Sequence, residues 1–257
     1  MLERFQDIKR DFTRVLDLGS GSGQFTKLLP PKDNMTVRML DMSPGALYRD
    51  PTTDFEVAIE RSQGDEEQLL ASIQPNSLDA VVSCLALHWV NDLPGALVQI
   101  KEALKPDGVF MGAMIGGDTL FELRTALQVA EVEREGGISP RVSPMTDTRD
   151  VSNLLGRAGF TLLTVDIDDV EVMYPSMWEL VEDLRYMGES NAIVDRRTFL
   201  HRDTLLATSA AYEALHKKDG GIPATFQIIF MIGWKPGPNQ PKPLPRGSGE
   251  LNLKDVL

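Results

Sequence analysis

Val15-Leu-Asp-Leu-Gly-Ser-Gly-Ser-Gly-Gln-Phe25 is the most informative segment of this chain. Its apolar residues end in three glycines at alternate positions, Gly19, Gly21 and Gly23, and a helical pattern follows. Such a pattern predicts a buried strand, then a tight turn whose backbone can approach a ligand, then the N-terminus of a helix that points at that ligand. A structural glycine turn without a ligand is the alternative, and the flanking strand and helix favour binding.

The spacing of these glycines separates two kinds of ligand. A dinucleotide site has the pattern G-x-G-x-x-G, whereas here the next glycine, Gly23, comes two residues after Gly21, and Gln24 occupies the position of the third glycine. Asp17 lies just before the loop. Its carboxylate would repel a pyrophosphate and would suit a cationic amino-acid ligand. The pattern D-x-G-x-G-x-G is similar to the first motif of the S-adenosylmethionine-dependent methyltransferases.

The composition is that of an ordinary globular protein, with 42% hydrophobic and 25% charged residues among 257. This length fits one α/β domain. The net charge of -12 disfavours nonspecific binding to nucleic acid or to an anionic membrane, because phosphate groups would repel the protein. The single cysteine, Cys84, excludes an internal disulfide and lies in an apolar run typical of a buried thiol. No apolar stretch approaches the length of about 20 residues that spans a bilayer.

Alternating strand and helix patterns predict an α/β fold with a doubly wound, mostly parallel seven-stranded sheet. The predicted strands are 15–18, 37–41, 55–59, 77–84, 109–115, 162–174 with a bend near 168–169, and 225–234. The predicted helices are 3–12, 24–29, a short one begun by Ser43-Pro44, 93–104, 119–135, 147–158, and 177–218 with a break near 188–191. We expect a residual N-terminal helix in 1–14, one domain in 15–234 with a helical cap at about 176–219, and a Pro/Gly-rich tail without fixed structure in 235–257.

Polar residues lie at or near the carboxyl ends of the first four predicted strands. They are Asp17 with Gly19, then Asp41, Asp65 and Ser83. Asp41 lies 22 residues beyond Gly19, close to the about 20 expected for an acid that binds a ribose diol. Because ligands of such sheets bind outside the carboxyl ends of the strands, these residues predict one crevice.

With these features in place, the chain from Val15 to about Trp234 resembles a class I methyltransferase. In that family the matches to Asp17 and the glycine loop border the methionine end of S-adenosylmethionine, and the match to Asp41 binds the ribose. An acid in the turn after the third strand meets the adenine amino group. The resemblance therefore assigns cofactor binding to Asp17, Gly19, Ser20, Gly21, Gly23, Asp41, Met42, Asp65, Glu66, Ser83 and His88.

Segments of the second half are more specific. They include Leu87-His-Trp-Val-Asn-Asp-Leu-Pro94, Met114-Ile-Gly-Gly-Asp-Thr-Leu-Phe-Glu-Leu-Arg124, Met187-Gly-Glu-Ser-Asn191 and Pro223-Ala-Thr-Phe-Gln-Ile-Ile-Phe-Met-Ile-Gly-Trp234. From about Asp79 onward the chain resembles the mitochondrial assembly factors of respiratory complex I that have a methyltransferase fold and are described as protein arginine hydroxylases. The carboxyl methyltransferase that acts on a malonyl-carrier protein in biotin synthesis is a more distant likeness.

The likeness to the assembly factors implies an iron–sulfur subunit of complex I as protein substrate, and it allows another assembly factor as a second partner. It implies a location in the mitochondrial matrix and allows peripheral association with the inner membrane. No nucleic-acid partner is expected. Compared with that family, the N-terminal region is expected to be shortened, without a leader and without an early helix that would cover the cofactor.

The sequence leaves the reaction open. His88 is a candidate for a catalytic base, and packing of its loop is the alternative. Hydroxylation of an arginine carbon would ordinarily need a redox centre such as iron held by two histidines and a carboxylate. His201, Asp203 and His216 have that composition, but Asp203 reads more simply as the N-cap of a helix over 204–215 and His216 as a last-turn residue. No metal ligand is therefore predicted, and the oxidant stays unidentified.

Three functions remain at this point. They are an arginine hydroxylase, an S-adenosylmethionine-dependent methyltransferase for a small molecule or a carrier-bound acid, and a binding module that keeps the crevice and holds a partner during assembly. A substrate arginine would be attracted to carboxylates near the mouth of the crevice. The candidates are Asp92, Asp118, Glu122 and Glu189, and solvated surface acids are the alternative for each.

Overall fold

The computed structural model describes residues 1–194, 196–197 and 199–241. Its strands are β1 (Arg14–Leu18), β2 (Thr36–Asp41), β3 (Ala58–Gln63), β4 (Leu78–Cys84), β5 (Leu104–Ile115), β6 (Thr161–Tyr174) and β7 (Ile222–Trp234). They form one sheet in the order β3-β2-β1-β4-β5-β7-β6. Strands β1 to β5 pair in parallel, and β7 runs antiparallel to both of its neighbours. The predicted α/β fold with a doubly wound, mostly parallel seven-stranded sheet is confirmed.

The structure contains eight α-helices among the described residues. They are α1 (Leu2–Gln6), α2 (Gln24–Lys27), α3 (Pro44–Leu47), α4 (Leu93–Ala103), α5 (Phe121–Glu135), α6 (Thr148–Ala158), α7 (Met177–Met187) and α8 (Arg202–His216). Ser43 accepts a hydrogen bond from the Ala46 amide at the start of α3, and Asp147 does so from the Arg149 amide at the start of α6. Among the described residues, no helix combines the length and the apolarity that crossing a membrane requires.

Strand β1 lies in the middle of the sheet, and four of its five residues are buried. A parallel sheet covered on both faces needs such a continuous apolar run. One face packs on α4 and α6 through a cluster that includes Leu16, Ile100 and Leu155. The other face packs on α1 and α2 through a second cluster that includes Phe5 and Phe25. The glycine loop after β1 is thereby fixed at the carboxyl edge of the sheet.

Helices α7 and α8 form a cap between β6 and β7. The cap has its own apolar cluster with α5, which includes Leu123, Leu180 and Tyr212. The predicted break at 188–191 is too short, because residues 188–201 separate the two helices. The prediction that Asp203 is the N-cap of α8 is wrong, since His201 occupies that position and Asp203 lies in the first turn.

The third strand lies three residues later than predicted, at Ala58–Gln63 rather than 55–59. It is an edge strand whose side chains are half-buried or exposed, so it carries polar residues, while Phe55 and Val57 are buried just before it. The buried apolar residues Phe55 and Val57 therefore led to a predicted strand that begins too early. The predicted bend of the sixth strand is also absent from the described residues, because Asp168 and Asp169 pair with β7 without interruption.

The first helix is shorter than predicted, and the start of the predicted tail lies against the sheet. Helix α1 ends at Gln6, well before residue 12. Residues 235–241, at the start of the predicted tail, contact β5 in the structure. The Lys235 amide donates to the Gly108 carbonyl at 2.9 Å, and Asn239 Nδ2 donates to Asp107 Oδ2 at 2.9 Å. Residues 242–257 lie outside the described part of the chain.

Candidate functional site

The glycine loop is bound to the end of β2. The Gly19 and Ser20 amides donate to the Leu40 carbonyl at 2.9 and 3.1 Å, and the Gly21 amide donates to Asp41 Oδ2 at 2.7 Å. The loop bends sharply through left-handed glycines, Gly19, Gly21 and Gly23, with φ of +66°, +54° and +83°. Side chains other than glycine rarely adopt this conformation, which explains the residue type.

The three glycines serve different needs. A Cβ atom on Gly19 would overlap Ala86 Cβ, and one on Gly23 would clash with Met39. Both are therefore required for packing of the loop against β2 and the segment after β4. A Cβ atom on Gly21 would meet nothing within 4 Å. Gly21 thus leaves open space beside the backbone, as a loop that touches a ligand requires.

Asp41 is held in place by two backbone amides. Its Oδ2 accepts from the Gly21 amide at 2.7 Å, and its Oδ1 accepts from the Ser43 amide at 2.8 Å. The carboxylate therefore bridges the glycine loop and the start of α3. Ser20 Oγ is buried and has no hydrogen-bond partner among the described residues. An unpaired buried hydroxyl beside an anchored carboxylate indicates a place where a polar ligand binds.

These residues line a crevice of about 750 Å³, a volume typical of cofactor sites. The structure brings together eight of the predicted site residues on its walls, namely Asp17, Gly19, Ser20, Gly21, Asp41, Met42, Asp65 and Glu66. The other three do not line it. Gly23 packs behind the loop, Ser83 is fully buried with its Oγ donating to the Leu18 carbonyl at 2.8 Å, and His88 lines a separate cavity.

The crevice walls are strongly acidic. Burial raises the pKa of the Asp17 carboxyl to about 6, and the charge of Asp41 acts in the same direction, although Thr26 Oγ1 donates to Asp17 at 2.6 Å. Burial likewise raises the pKa of Glu66, and neighbouring carboxylates such as Asp41 and Asp65 add to the effect. A bound cation would relieve this repulsion, so the crevice suits a positively charged ligand.

Sequence reasoning missed several crevice residues. Arg49 lines the rim and donates to Ser22 Oγ at 2.6 Å. Ala86, Val90 and Asn91 contribute from the segment after β4. No pattern in the sequence marks Arg49, which follows a four-residue helix on the surface. The segment after β4 could have been predicted to line the crevice, because a loop at the carboxyl end of a parallel strand lies at the edge of the sheet where ligands bind.

A second cavity of about 450 Å³, here called the cap cavity, lies between the cap and the carboxyl edge of the sheet. Its walls are mostly apolar and come from α5, α7, α8 and the ends of β4 and β5. Leu85 and Trp89 line both this cavity and the crevice, so the two spaces adjoin. Leu85 has φ of +55°, and a non-glycine residue held in this conformation is a form of strain that concentrates at functional sites.

His88 lies in the wall of the cap cavity with 5% of its side chain exposed. Its Nε2 is 3.1 Å from Glu189 Oε1, a contact between the segment after β4 and the end of α7. Glu189 is one of the four acids considered for substrate binding. The other three have structural contacts: Asp92 caps α4, Asp118 accepts from Gln227 Nε2 at 3.2 Å, and the buried Glu122 accepts from Thr225.

Three other candidates from the sequence have simple structural explanations. Burial raises the pKa of the Cys84 thiol to about 12, so this cysteine stays protonated and is a poor nucleophile. His201 caps α8, and His216 lies in its last turn with its ring 5.8 Å from that of Tyr212. In the part of the chain that the structure describes, no group of three or more His, Cys, Asp or Glu side chains is placed to hold a metal ion.

Comparison with known proteins agrees with this fold. Residues 16–112 match the model of a methyltransferase domain. A putative methyltransferase of Bacillus halodurans is similar in structure, with a TM-score of 0.60 at 16% identity over 91% of this chain and 97% of that one. An arsenic(III) S-adenosylmethionine methyltransferase of Chlamydomonas reinhardtii gives a TM-score of 0.51 at 18% identity, over 90% of this chain and 65% of that one. The molecule therefore has the class I methyltransferase fold, as the sequence predicted.

Relatives of higher identity define the family. The mouse and human proteins named arginine-hydroxylase NDUFAF5, mitochondrial, are 51% and 49% identical over 99% of this chain, which covers 75% and 73% of them. A malonyl-[acyl-carrier protein] O-methyltransferase of Methylovorus is 33% identical over 92% of this chain and 80% of that protein. The chain belongs to the NDUFAF5 arginine-hydroxylase family. The resemblance seen in the sequence is confirmed, and the family is one of enzymes.

Proposed function

We propose that this protein binds S-adenosylmethionine in the crevice and hydroxylates an arginine of an iron–sulfur subunit of mitochondrial complex I during assembly of that complex. The observation that carries the proposal is the anchored Asp41 beside the open Gly21, in a family whose members are named arginine hydroxylases. Those relatives are named mitochondrial, and we further propose a location in the matrix or peripherally on the inner membrane. Another assembly factor is a second proposed partner.

The crevice fits this cofactor by chemistry. S-adenosylmethionine presents donors and positive charge, namely a ribose diol, an adenine amine, an ammonium and a sulfonium. The crevice presents carboxylates as acceptors, including Asp17, Asp41, Asp65 and Glu66. We assign Asp41 to the ribose hydroxyls, Asp17 and the glycine loop to the methionine end, and Asp65 or Glu66 to the adenine amine. When bound, the cofactor would supply an electrophilic methyl group and a positive charge. Hydroxylation additionally requires a two-electron oxidant, which the mitochondrial extract used in the assay below supplies.

The protein's own residues position the substrate. The cap encloses a mostly apolar space beside the crevice, and such a space excludes water from the reacting carbon. Leu85 and Trp89 form the wall that the two spaces share. The contact of His88 with Glu189 joins the cap to the segment after β4. A substrate side chain that enters the cap cavity is therefore held next to the cofactor site by the closed cap.

Mass analysis of the substrate tests the reaction. The iron–sulfur subunit is incubated with the protein in a mitochondrial extract, and its arginine peptides are analysed. A mass increase of one oxygen atom on one arginine is the expected result. A mass increase of one methylene unit would instead indicate methyl transfer, the reaction named for the Methylovorus relative. An unchanged subunit that still copurifies with the protein would support the third function, a binding module without catalysis.

Calorimetry with S-adenosylmethionine tests the cofactor site. We expect Gly21→Arg to abolish binding, because the new side chain would fill the open space beside the loop. Asp41→Ala should weaken binding at least tenfold, a typical effect of losing hydrogen bonds to a charged group. Gly137→Arg is the control, since a side chain there also meets nothing within 4 Å and lies outside the crevice. Unchanged binding in both crevice variants would reject the site.

A further inference from the structure

The cap cavity has the size and lining of a site for one long side chain. Its volume is about 450 Å³, and its apolar walls include Ile115, Leu120, Leu123, Leu184 and Phe226. Burial of the methylenes of a long side chain against such walls is favourable, because it removes apolar surface from water. Arginine and lysine both carry apolar stems of this kind below a charged head.

One carboxylate in this wall contacts a histidine but no lysine or arginine among the described residues. Glu189 is the sole acidic residue among the described residues that line the cavity. Arg141 also lines it, but its Nε is 2.5 Å from Oε1 of the fully buried Glu131, and it also donates to the Phe199 carbonyl. That arginine is therefore neutralised within the wall. The contact of Glu189 in the structure is His88 Nε2, at 3.1 Å.

Two buried polar atoms in the same wall lack partners among the described residues. They are Asn191 Oδ1 and His88 Nδ1. Asn191 Nδ2 donates to the Arg197 carbonyl at 3.1 Å, which leaves the oxygen of that amide as the free end. A buried amide oxygen without a donor, such as Asn191 Oδ1, is rare and indicates a ligand that donates. The His88 side chain is 95% buried, because only 5% of it is exposed.

The free acceptors match a guanidinium better than an ammonium. A guanidinium has five N–H donors in a rigid planar fork and no acceptor. It can pair with the Glu189 carboxylate and still donate to the Asn191 amide oxygen. The Glu189 side chain is 19% exposed, and a carboxylate largely removed from water is stabilised by a cation or by several donors. An alkyl guanidinium has a positive charge that complements Glu189 and an apolar stem that complements the apolar walls.

The position of Glu189 is set by the end of α7. Gly188 adopts φ of +81°, and the Glu189 amide donates to the Leu184 carbonyl at 2.8 Å. This pattern is a Schellman cap, which fixes the backbone of the residue that follows the glycine. The carboxylate therefore sits on a defined helix end rather than on a mobile loop.

We propose that the cap cavity is the binding site for the substrate's arginine side chain, and that Glu189 binds its guanidinium together with the Asn191 amide oxygen. The proposal rests on the proposed function and names the site at which that substrate is recognised. The arginine stem lies along the leucines of α5 and α7. Because Leu85 and Trp89 separate the cap cavity from the crevice, the bound side chain lies beside the cofactor site.

Binding of short peptides tests this site without turnover. The probe is an N-acetylated, C-amidated peptide with one arginine between neutral residues, titrated into the full chain saturated with S-adenosylmethionine. A second peptide carries citrulline, which has the same shape without the charge. We expect the wild-type protein to bind the arginine peptide at least tenfold more tightly than the citrulline peptide, and Glu189→Gln to abolish this preference.

Glu182→Gln is the matched control, because Glu182 is an exposed residue of the same helix that does not line the cavity. It should keep the wild-type preference, and both variants should bind S-adenosylmethionine as the wild type does. Equal binding of the arginine peptide by the wild type and Glu189→Gln would overturn the proposal, even if the protein hydroxylates arginine. Loss of binding in Glu189→Gln, with no oxygen added by the wild type, would overturn the hydroxylase function and leave the site intact.

A second variant covers the case in which Glu189→Gln does not fold. Glu189→Asp keeps the negative charge and shortens the side chain by one methylene. We expect it to bind the arginine peptide more weakly than the wild type and still to prefer it over the citrulline peptide. Equal affinity of folded Glu189→Asp for the two peptides would overturn the proposal.

Discussion

Asp17 links the stability of the protein to pH. Its carboxyl is buried at the end of β1, and its pKa is raised from 3.8 to about 6. The folded state therefore keeps a proton that the unfolded state releases between about pH 4 and pH 6. Stability falls as pH rises through this window. A shift of two pKa units corresponds to at most about 3 kcal/mol at neutral pH.

Asp17→Asn removes this dependence. The amide has nearly the shape of the carboxyl group, stays neutral and still accepts from Thr26 Oγ1 through its oxygen. We expect the variant to gain stability relative to the wild type as pH rises from 4 to 7, and then to hold a constant difference. Urea unfolding at several pH values measures the effect. A difference between the two proteins that does not change with pH would contradict the assignment.

Asp79 changes the pH dependence of stability in the opposite direction. Burial alone would raise its pKa, but hydrogen bonds from Lys105, Thr13 and the Arg14 amide outweigh burial and hold the pKa far below its usual range. The unfolded state therefore binds more protons than the folded state in acid. We expect Asp79→Asn to destabilise the protein at neutral pH and to lose this penalty as pH falls below about 4. The same unfolding series measures both variants.

At the scale of elements, two glycines of the same loop are expected to have different roles. Gly19 serves the packing of the loop, and Gly21 serves cofactor binding. Gly19→Ala places a Cβ atom against Ala86 in a left-handed conformation, so we expect a loss of stability of about 1–3 kcal/mol. Gly21→Ala meets open space and should cost only the left-handed strain, about 1 kcal/mol, while it weakens cofactor binding. Thermal unfolding and calorimetry compare the two variants. Equal effects of both variants on stability and on binding would contradict this division.

The end of α7 provides a second element-scale prediction. Gly188 and Gly136 end α7 and α5, both with positive φ and with nothing within 4 Å of an added Cβ atom. Gly188→Ala and Gly136→Ala should each cost about 1 kcal/mol of stability. We expect only Gly188→Ala to weaken binding of the arginine peptide, because Glu189 follows that glycine. Similar peptide affinities in the two variants would show that the helix end does not position the carboxylate.

Errors in predicting the elements have a common cause. Ends of helices depend on local caps such as Asp147 and Gly159, so the sequence predicted α6 closely. The third strand depends on its neighbours instead, because its side chains are half-buried or exposed and show no apolar pattern. Its pairing with β2 is a long-range property. Phe55, which is buried beside Met39 and Leu47, was therefore mistaken for part of the strand.

At the scale of the whole molecule, the cap has a core separate from the two clusters on the faces of the sheet. Leu180 is fully buried in the cap cluster, and Leu16 is fully buried in a sheet cluster. Truncation of such a leucine to alanine typically costs about 2–5 kcal/mol. We expect Leu180→Ala to raise hydrogen exchange mainly in α7 and α8, and to weaken arginine-peptide binding while S-adenosylmethionine binding persists.

Leu16→Ala is the contrasting variant. It should raise exchange throughout the sheet and weaken binding of both ligands, since β1 lies in the middle of the sheet. Hydrogen exchange followed by mass spectrometry resolves the two patterns. A uniform increase in exchange across the chain in Leu180→Ala would show that the cap and the sheet unfold as one unit.

The sequence was sufficient for the fold and for most of the crevice. The glycine loop and the acid at Asp41 are local patterns, and the geometry of a parallel sheet brings strand ends to one edge. Such local patterns could not predict the cap cavity. His88 and Glu189 lie 101 residues apart, and only one of the four acids considered for the substrate faces the cavity. Which acid does so depends on how α7 and α8 pack against α5, and tertiary packing alone selects that arrangement.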